Sequence, residues 1–247
     1  MLKTRIIPVL LANSYDLVKG QRFNAWRRVG HVLQAARVHE MRQVDELILL
    51  DIGATARGGP NFDLVRALTK DCFMPLSVGG GISTLEHIRE MLRSGADKVV
   101  LGTTAVERPE FINAASDRFG AQAIVVSVDA KDGFVWSRNG TRRDERSPLQ
   151  FACEMQDRGA GEILLNAVDR DGTLTGYDLD LIREVSAAVR IPLVAAGGCS
   201  GYEDMAEALR AGAHAVSAGA LFQFCDSTPR GAAEHLTREG FVMRKAA

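Results

Sequence analysis

The chain has 247 residues, of which 46% are hydrophobic and 25% are charged, and its formal net charge is −1. This apolar content excludes an intrinsically disordered chain, and the balanced charge excludes the basic excess that drives nucleic-acid binding. No apolar run reaches the roughly 18 residues of a membrane span, and the run that follows Arg5 is short and contains Pro8, which favours a buried strand over a secretion signal. The four cysteines lie far apart, which is typical of reduced, buried thiols in a cytoplasmic protein.

Short apolar runs alternate with amphipathic stretches along the whole chain. The runs are residues 5–11, 46–51, 74–78, 98–101, 123–128, 162–165, 193–196 and 215–218. They are continuous rather than alternating, as in parallel strands that are buried on both faces. Helical periodicity lies between them, for example over residues 85–92 and 181–189, and glycine often ends the helical pattern. Eight strand–helix units in this length predict an α/β fold, a single (β/α)₈ barrel over residues 1–247.

Segments of the first half recur in the second half at a nearly constant offset. Residues 95–102 match residues 212–219, which lie 117 positions later, and residues 78–81 match residues 196–199 at an offset of 118. An open doubly wound sheet predicts no such repeat. The pattern therefore favours two fused half-barrels, at about residues 1–120 and 121–247.

Glycine-rich turns follow the third and seventh runs, and further glycines end the fourth and eighth. Glycine allows backbone N–H groups to approach an anion, and the next helix N-terminus adds a favourable dipole. Each glycine-rich turn, together with the strand end that follows it in the chain, can form an anion-binding concavity, here called a cup. The repeat places two cups on opposite sides of the barrel mouth, which suits an elongated substrate with a phosphate at each end. The alternative is that these glycines only form tight turns. The first cup comprises Gly80, Gly81, Gly102 and Thr103, and the second comprises Gly197, Gly198, Gly219 and Ala220, with Asp171 and Gly172 as further backbone donors.

Carboxylates at the strand ends are candidates for acid–base chemistry. Asp51 ends the second run, Asp129 follows the fifth, and Asp169 lies beyond the sixth. A lone aspartate at a strand end is often a turn former, but Asp129 should project into the mouth and is the best candidate. The five histidines show no ligand spacing and fall in predicted helices or loops, so neither a metal nor a cofactor is expected. Arginines 138, 142, 143 and 146 alternate with acidic residues, which favours a solvated loop, with binding of substrate anions as the alternative.

At these residues the chain resembles the cyclase subunit of imidazole glycerol phosphate synthase, the HisF family. The matching segments are residues 5–7, 18–20, 45–47, 50–52, 78–82, 95–99, 105–109, 129–131, 159–165, 169–173 and 176–178. The resemblance implies a heterodimer with a glutaminase, whose ammonia passes through the barrel to a phosphorylated substrate at the far mouth. It also adds Lys19 and Asp51 to the substrate-binding residues. The family's gate, a ring of two basic and two acidic residues at the barrel floor, matches Arg5, Glu46, Lys98 and Glu162. A purely structural ring is the alternative.

The departures from the family lie at the mouth. The family uses two catalytic aspartates. Asp129 matches one of them, whereas Leu11, which cannot transfer a proton, stands at the other. Asp16 lies five residues further along and is not taken as its substitute. Three further mouth positions have also changed, to Gly102, Asn166 and Ala196.

This pattern resembles a divergent branch of the family found in surface-polysaccharide pathways, which shares residues 72–75, 139–142 and 146–149. That branch implies ammonia supply, together with a glutaminase and a sugar amidotransferase, for an acetamidino sugar. Two alternatives remain: an authentic cyclase of histidine biosynthesis, and a non-catalytic scaffold that activates the glutaminase. Leu11 disfavours the authentic cyclase, whereas Asp129 and the glycine cups disfavour the scaffold.

Overall fold

The structure is a computed structural model that describes residues 3–243, so residues 1–2 and 244–247 of the predicted domain lie outside the described residues. The strands in chain order are β1 (Arg5–Asn13), β2 (Asp16–Gln21), β3 (Asn24–His31), β4 (Leu47–Asp51), β5 (Leu76–Gly79), β6 (Lys98–Leu101), β7 (Ile124–Lys131), β8 (Phe134–Ser137), β9 (Arg142–Arg143), β10 (Glu162–Ala167), β11 (Leu193–Ala196) and β12 (Ala215–Ala218). The α-helices are α1 (Val32–Met41), α2 (Phe62–Thr69), α3 (Leu85–Arg93), α4 (Thr103–Glu107), α5 (Glu110–Phe119), α6 (Pro148–Asp157), α7 (Leu179–Ala188), α8 (Tyr202–Arg210), α9 (Ala220–Phe224) and α10 (Pro229–Arg238). Short 3₁₀ helices cover Ala121–Ala123 and Val168–Arg170.

Eight strands close into a parallel barrel. In order around the barrel they are β1, β4, β5, β6, β7, β10, β11 and β12, and β12 pairs with β1. Each predicted apolar run overlaps one of these strands, and the runs at 98–101, 193–196 and 215–218 have the same bounds as the observed strands. The predicted (β/α)₈ barrel is confirmed.

The barrel strands are apolar on both faces because one face lines the barrel interior and the other packs against helices. All six residues of β10 are buried. The helices turn an apolar stripe inward, as α3 does with Ile88 and Met91. Side chains that accept a backbone N–H begin five of the helices, namely Asn61, Thr84, Ser147, Asp178 and Thr228. Between residues 3 and 243, no helix is long and apolar enough to cross a membrane.

Two antiparallel hairpins were not predicted. β2 and β3 form one after β1, and β8 and β9 extend the end of β7. The expectation that all histidines lie in helices or loops is therefore wrong for His31, which ends β3. All four cysteines are free, but the expectation of buried thiols is wrong for Cys225, which is exposed, and holds only in part for Cys153, which is half-buried.

Alternate residues of the barrel strands face the interior and stack in layers from one end to the other. Arg5, Glu46, Lys98 and Glu162, at the strand starts, form the lowest layer. Above it lies an apolar cluster of Ile7, Ile48, Val100, Val125, Leu164, Val194 and Ala215, with Val9, Leu50 and Ala196 packed against it. The next positions along these strands reach the mouth. An apolar interior therefore separates the charged floor from the mouth.

Candidate active site

One cavity of about 310 Å³ occupies the barrel mouth. Its lining includes the predicted substrate-binding residues, Asp129 and Leu11; Asp169 is not part of it. The lining positions among these are Leu11, Lys19, Asp51, Gly80, Gly81, Gly102, Thr103, Asp129, Asp171, Gly172, Gly197, Gly198, Gly219 and Ala220. The two cups follow β5 and β6 on one side and β11 and β12 on the other, so they face each other across the barrel. Residues that are distant in sequence therefore share one site at the carboxyl ends of the strands.

Asp129 lies on β7 beside Asn166 of β10. Its Oδ1 atom accepts hydrogen bonds from Ser127 Oγ at 2.9 Å and from Asn166 Nδ2 at 3.5 Å. Burial disfavours the charged carboxylate more than these bonds favour it, so the pKa of Asp129 rises to about 6. A carboxyl that titrates near neutral pH can both donate and accept a proton, as acid–base chemistry requires.

Leu11 lies across the mouth from Asp129. β1 and β7 are the first and fifth of the eight barrel strands, and Leu11 lines the same cavity with 7% of its surface exposed. Asp16 does not compensate, because its carboxylate pairs with Arg28 Nε at 2.9 Å within the first hairpin. Asp129 therefore faces an apolar side chain.

The glycine turns of both cups are required by geometry. Gly80 has φ 118°, and a Cβ there would lie 2.3 Å from the Asp51 carbonyl oxygen. Gly197 has φ 89°, and its Cβ would lie 2.5 Å from the Ala167 carbonyl oxygen. Both positions exclude a side chain. The tight-turn interpretation therefore holds for these residues, and it is compatible with anion binding because no side chain caps the N-terminus of α4 or α9.

Lys19 supplies a buried charge to the second cup. It is 5% exposed, and a Cβ on Gly219 would lie 2.1 Å from its Nζ. Burial lowers the pKa of Lys19, and the negative charge of Asp171 partly opposes that shift. Burial raises the pKa of Asp171, and the positive charge of Lys19 partly opposes that shift. Arg22 N donates to the Asp171 carbonyl at 2.9 Å, which joins the first hairpin to this cup. In the described part of the chain, the Lys19 ammonium has no hydrogen-bond acceptor and is available to an anion.

The arginine-rich segment is only partly a solvated loop. Arg138, Arg142 and Arg143 are exposed as predicted, whereas Arg146 is half-buried. Arg138 and Asn139, although exposed, also line the cavity. Arg138 N donates to Thr103 Oγ1 at 3.0 Å, and Asn139 Nδ2 donates to the Ile52 carbonyl at 2.8 Å. The turn between β8 and β9 therefore lies over the first cup.

Two of the other candidate carboxylates already have partners within the protein. Asp51 forms an ion pair with Arg57 and accepts from Gly53 N at 3.1 Å. Asp169 is exposed and accepts from Asp132 N at 3.1 Å, and it is not among the cavity-lining residues. Asp51 can contribute to the shape of the site, whereas Asp169 is not an acid–base candidate.

The four residues that the resemblance assigns to the gate form a closed ring of ion pairs. Arg5 pairs with Glu46 at 2.6 Å and with Glu162, and Lys98 pairs with Glu46 at 3.1 Å and with Glu162 at 2.8 Å. Burial alone would raise the pKa of Glu162, but its bonds to Arg5 and Lys98 hold the pKa below the usual range. Ser77 Oγ adds a 2.6 Å bond to Glu46 Oε1. The ring is thus fully compensated in charge.

Three residues of the site, Ser77, Ser127 and Arg57, were not predicted from the sequence. Ser77 and Ser127 stand inside apolar runs, and that interruption was the available signal for an inward-facing polar group. Arg57 gave no local signal. A possible ligand cluster was missed as well: among the described residues, Glu203, His235 and Glu239 come together on the outer helices. Arg210 pairs with Glu203 at 3.1 Å and with Glu239 at 2.5 Å, so these carboxylates belong to a surface ion-pair network.

Comparison with known proteins agrees with this architecture. A family model described as "Histidine biosynthesis protein" matches residues 5–227. A curated relative from Campylobacter jejuni subsp. jejuni serotype O:2, named "Putative imidazole glycerol phosphate synthase subunit hisF2", is 44% identical over 248 residues, which is 99% of this chain and 99% of the relative. The chain therefore belongs to the histidine biosynthesis protein family and is a divergent, HisF-like member of it.

Proposed function

We propose that this barrel receives ammonia from a glutaminase at its amino-terminal face and delivers it to a phosphorylated substrate at its mouth. The acceptor belongs to a sugar-amidination system of surface-polysaccharide biosynthesis, with a sugar amidotransferase as a further partner. The observation that carries the proposal is the closed ion-pair ring beneath the apolar layer that contains Ile7, Ile48, Val100 and Leu164. The changed mouth, with Leu11 facing Asp129, distinguishes this role from ordinary cyclisation.

The interior suits neutral ammonia better than ammonium or other ions. Above the ring, the inward-facing side chains on β1, β4, β6 and β10 are Ile7, Ile48, Val100 and Leu164. Moving an isolated charge into such surroundings is very costly, whereas a small neutral molecule loses much less. At the floor, two cations and two carboxylates alternate, so their charges balance within the ring.

The amino-terminal face offers a docking surface for the glutaminase. A depression of about 330 Å³ is lined there by Lys3, Thr4, Arg5, Asp45, Glu46, Pro75 and Lys98. The exposed side chains of Met41 (82%) and Phe73 (81%) lie on the same face, where α1 ends and β5 is about to begin. The Glu40 carboxylate accepts from Phe73 N at 2.9 Å and links these two segments. Exposed aromatic and Met side chains of this kind are typical anchors of a protein interface.

The conduit is tested by Lys98→Met in the complex with the glutaminase. Arg183→Met, at an exposed position on the outer helix α7, is the control for lost charge. Lys98→Met opens the ring, because Glu162 then keeps Arg5 alone. We expect product formation driven by glutamine to fall while formation driven by free ammonia persists, with more ammonia released to solution. Arg183→Met should change neither rate. An equal fall of both rates in Lys98→Met would contradict the conduit.

The second candidate is an authentic cyclase of histidine biosynthesis. The pKa of Asp129 near 6 and the two glycine cups favour it. Leu11 opposes it, because loss of one acid–base partner typically removes a factor of about 10²–10⁴ in rate. Expression of the wild-type chain with its glutaminase in a histidine auxotroph lacking the cyclase separates the two: the proposal expects no growth, and the authentic cyclase predicts growth without histidine. A scaffold without chemistry is disfavoured by the mouth cavity and its buried Lys19.

A further inference from the structure

The two cups differ in whether a buried cation lies beside the glycine at the strand end. In the second cup, the buried ammonium of Lys19 lies beside Gly219. In the first cup, the space beside Gly102 is open, because a Cβ there would meet nothing closer than Ser127 Cβ at 3.8 Å. We propose that Arg138, from the turn between β8 and β9, binds the anionic end of the substrate in the first cup. This inference rests on the proposed function, because it assumes a substrate with a phosphate at each end.

Arg138 is placed and partnered for this role. Its backbone N–H is bonded to Thr103 of the first cup, and the residue lines the cavity. Its side chain donates through Nε to Glu107 Oε1 at 2.7 Å, and among the described residues neither terminal nitrogen has a partner. The two Nη groups are the pair of donors that an arginine offers to two oxygens of one phosphate.

The other arginine that lines the cavity at this cup is already engaged. Arg108 Nη2 donates to the Ser83 carbonyl, and its guanidinium lies 5.3 Å from the centre of the Phe111 ring. Arg142 does not line the cavity, but it donates to the same Glu107 oxygen at 3.1 Å. When Arg138 turns to an anion, Arg142 still pairs with Glu107, so no carboxylate is left uncompensated.

Binding of inorganic phosphate tests the inference, with crystals soaked at graded concentrations and occupancy refined separately at each cup. Arg138→Ala removes the guanidinium. Arg138→Asn is a second variant that tolerates the φ of 52° at this position. Arg143→Ala, on the same hairpin and exposed, is the control for equal loss of charge. Lost charged hydrogen bonds should weaken phosphate binding at the first cup about 10- to 100-fold in both Arg138 variants.

The second cup of each crystal is the internal reference. Loss of phosphate at the first cup alone in the Arg138 variants, with both cups filled in wild type and Arg143→Ala, supports the inference. Unchanged occupancy at the first cup of the Arg138 variants overturns it and leaves the proposed function standing. An equal loss of phosphate from the first cup in Arg143→Ala also overturns it, because phosphate binding there would then depend on the overall charge of the hairpin and not on Arg138. Absence of phosphate from both cups of the wild type overturns the two-phosphate substrate and this inference with it.

Discussion

Leu11→Asp would return a second carboxyl to the mouth. The side chain would enter the cavity from β1, across from Asp129 on β7. If the missing acid–base group limits cyclisation, activity on the bis-phosphorylated intermediate of the histidine pathway should rise by up to about 10²–10⁴ over wild type. The gain will be at the low end if the changes at Gly102, Asn166 and Ala196 also impair binding of that intermediate.

The substitution should also destabilise the protein. Leu11 is 7% exposed, so its replacement forfeits about 2 kcal/mol of apolar burial, and partial desolvation of the new carboxyl adds to this. For a domain of this size, a total of about 2–4 kcal/mol corresponds to a fall in Tm of roughly 4–16 °C. The new carboxylate would also raise the pKa of Asp129 above its present value near 6, because like charges disfavour ionisation.

The matched control is Leu11→Asn, which has the shape of aspartate without a titratable proton. Turnover of the intermediate with excess ammonia, followed by product absorbance, should rise in Leu11→Asp and stay at the wild-type level in Leu11→Asn. Equal activity of the two variants would show that space or polarity limits the reaction. Wild-type turnover of this intermediate at about 1 s⁻¹ or faster would refute the prediction that the changed mouth impairs cyclisation.

Two further predictions concern stability and assembly. Asp129→Asn should be more stable than wild type at about pH 7.5, by up to about 3 kcal/mol, and equal to it near pH 4. Because the pKa of Asp129 is near 6 in the folded protein, the folded protein binds more protons than the unfolded chain between these pH values. The free energy of unfolding of the wild type therefore falls as pH rises. Urea unfolding at both pH values checks the sign. Phe73→Ser should weaken binding of the glutaminase about tenfold or more, as loss of an interface anchor does. Phe224→Ser, on the mouth side at the end of α9, should have little effect on that binding. Equal affinities of the two variants in titration calorimetry would contradict the docking surface.

The barrel could be predicted from the sequence because its signals are local or repeated. A strand that is buried on both faces shows as a continuous apolar run, and the repeat near 117 residues places the two glycine cups without any knowledge of contacts. The resemblance to a known family likewise pointed to the four residues that form the ion-pair ring and to Leu11, which lines the mouth cavity.

The hairpins had no comparable signal. β3 has no residue that is fully buried, and its pairing with β2 contains register shifts, so no apolar run or strict alternation marks it. Its position depends on contacts with other loops, such as Arg22 with Asp171. The burial of Lys19 and the placement of Arg138 over the first cup follow from these hairpins and could not be read from the residues around them.

The partners within the site were likewise decided by the tertiary structure. Arg5 and Glu162 are 157 positions apart, and Asn166 reaches Asp129 only through the register of β7 with β10. The sequence determined which residues stand at the ends of buried strands. Closure of the barrel decided which charged side chains form ion pairs and that the carboxyl group of Asp129 is desolvated. Ion pairing and desolvation depend on distances between strands that no local pattern encodes, and these distances set the pKa of Asp129.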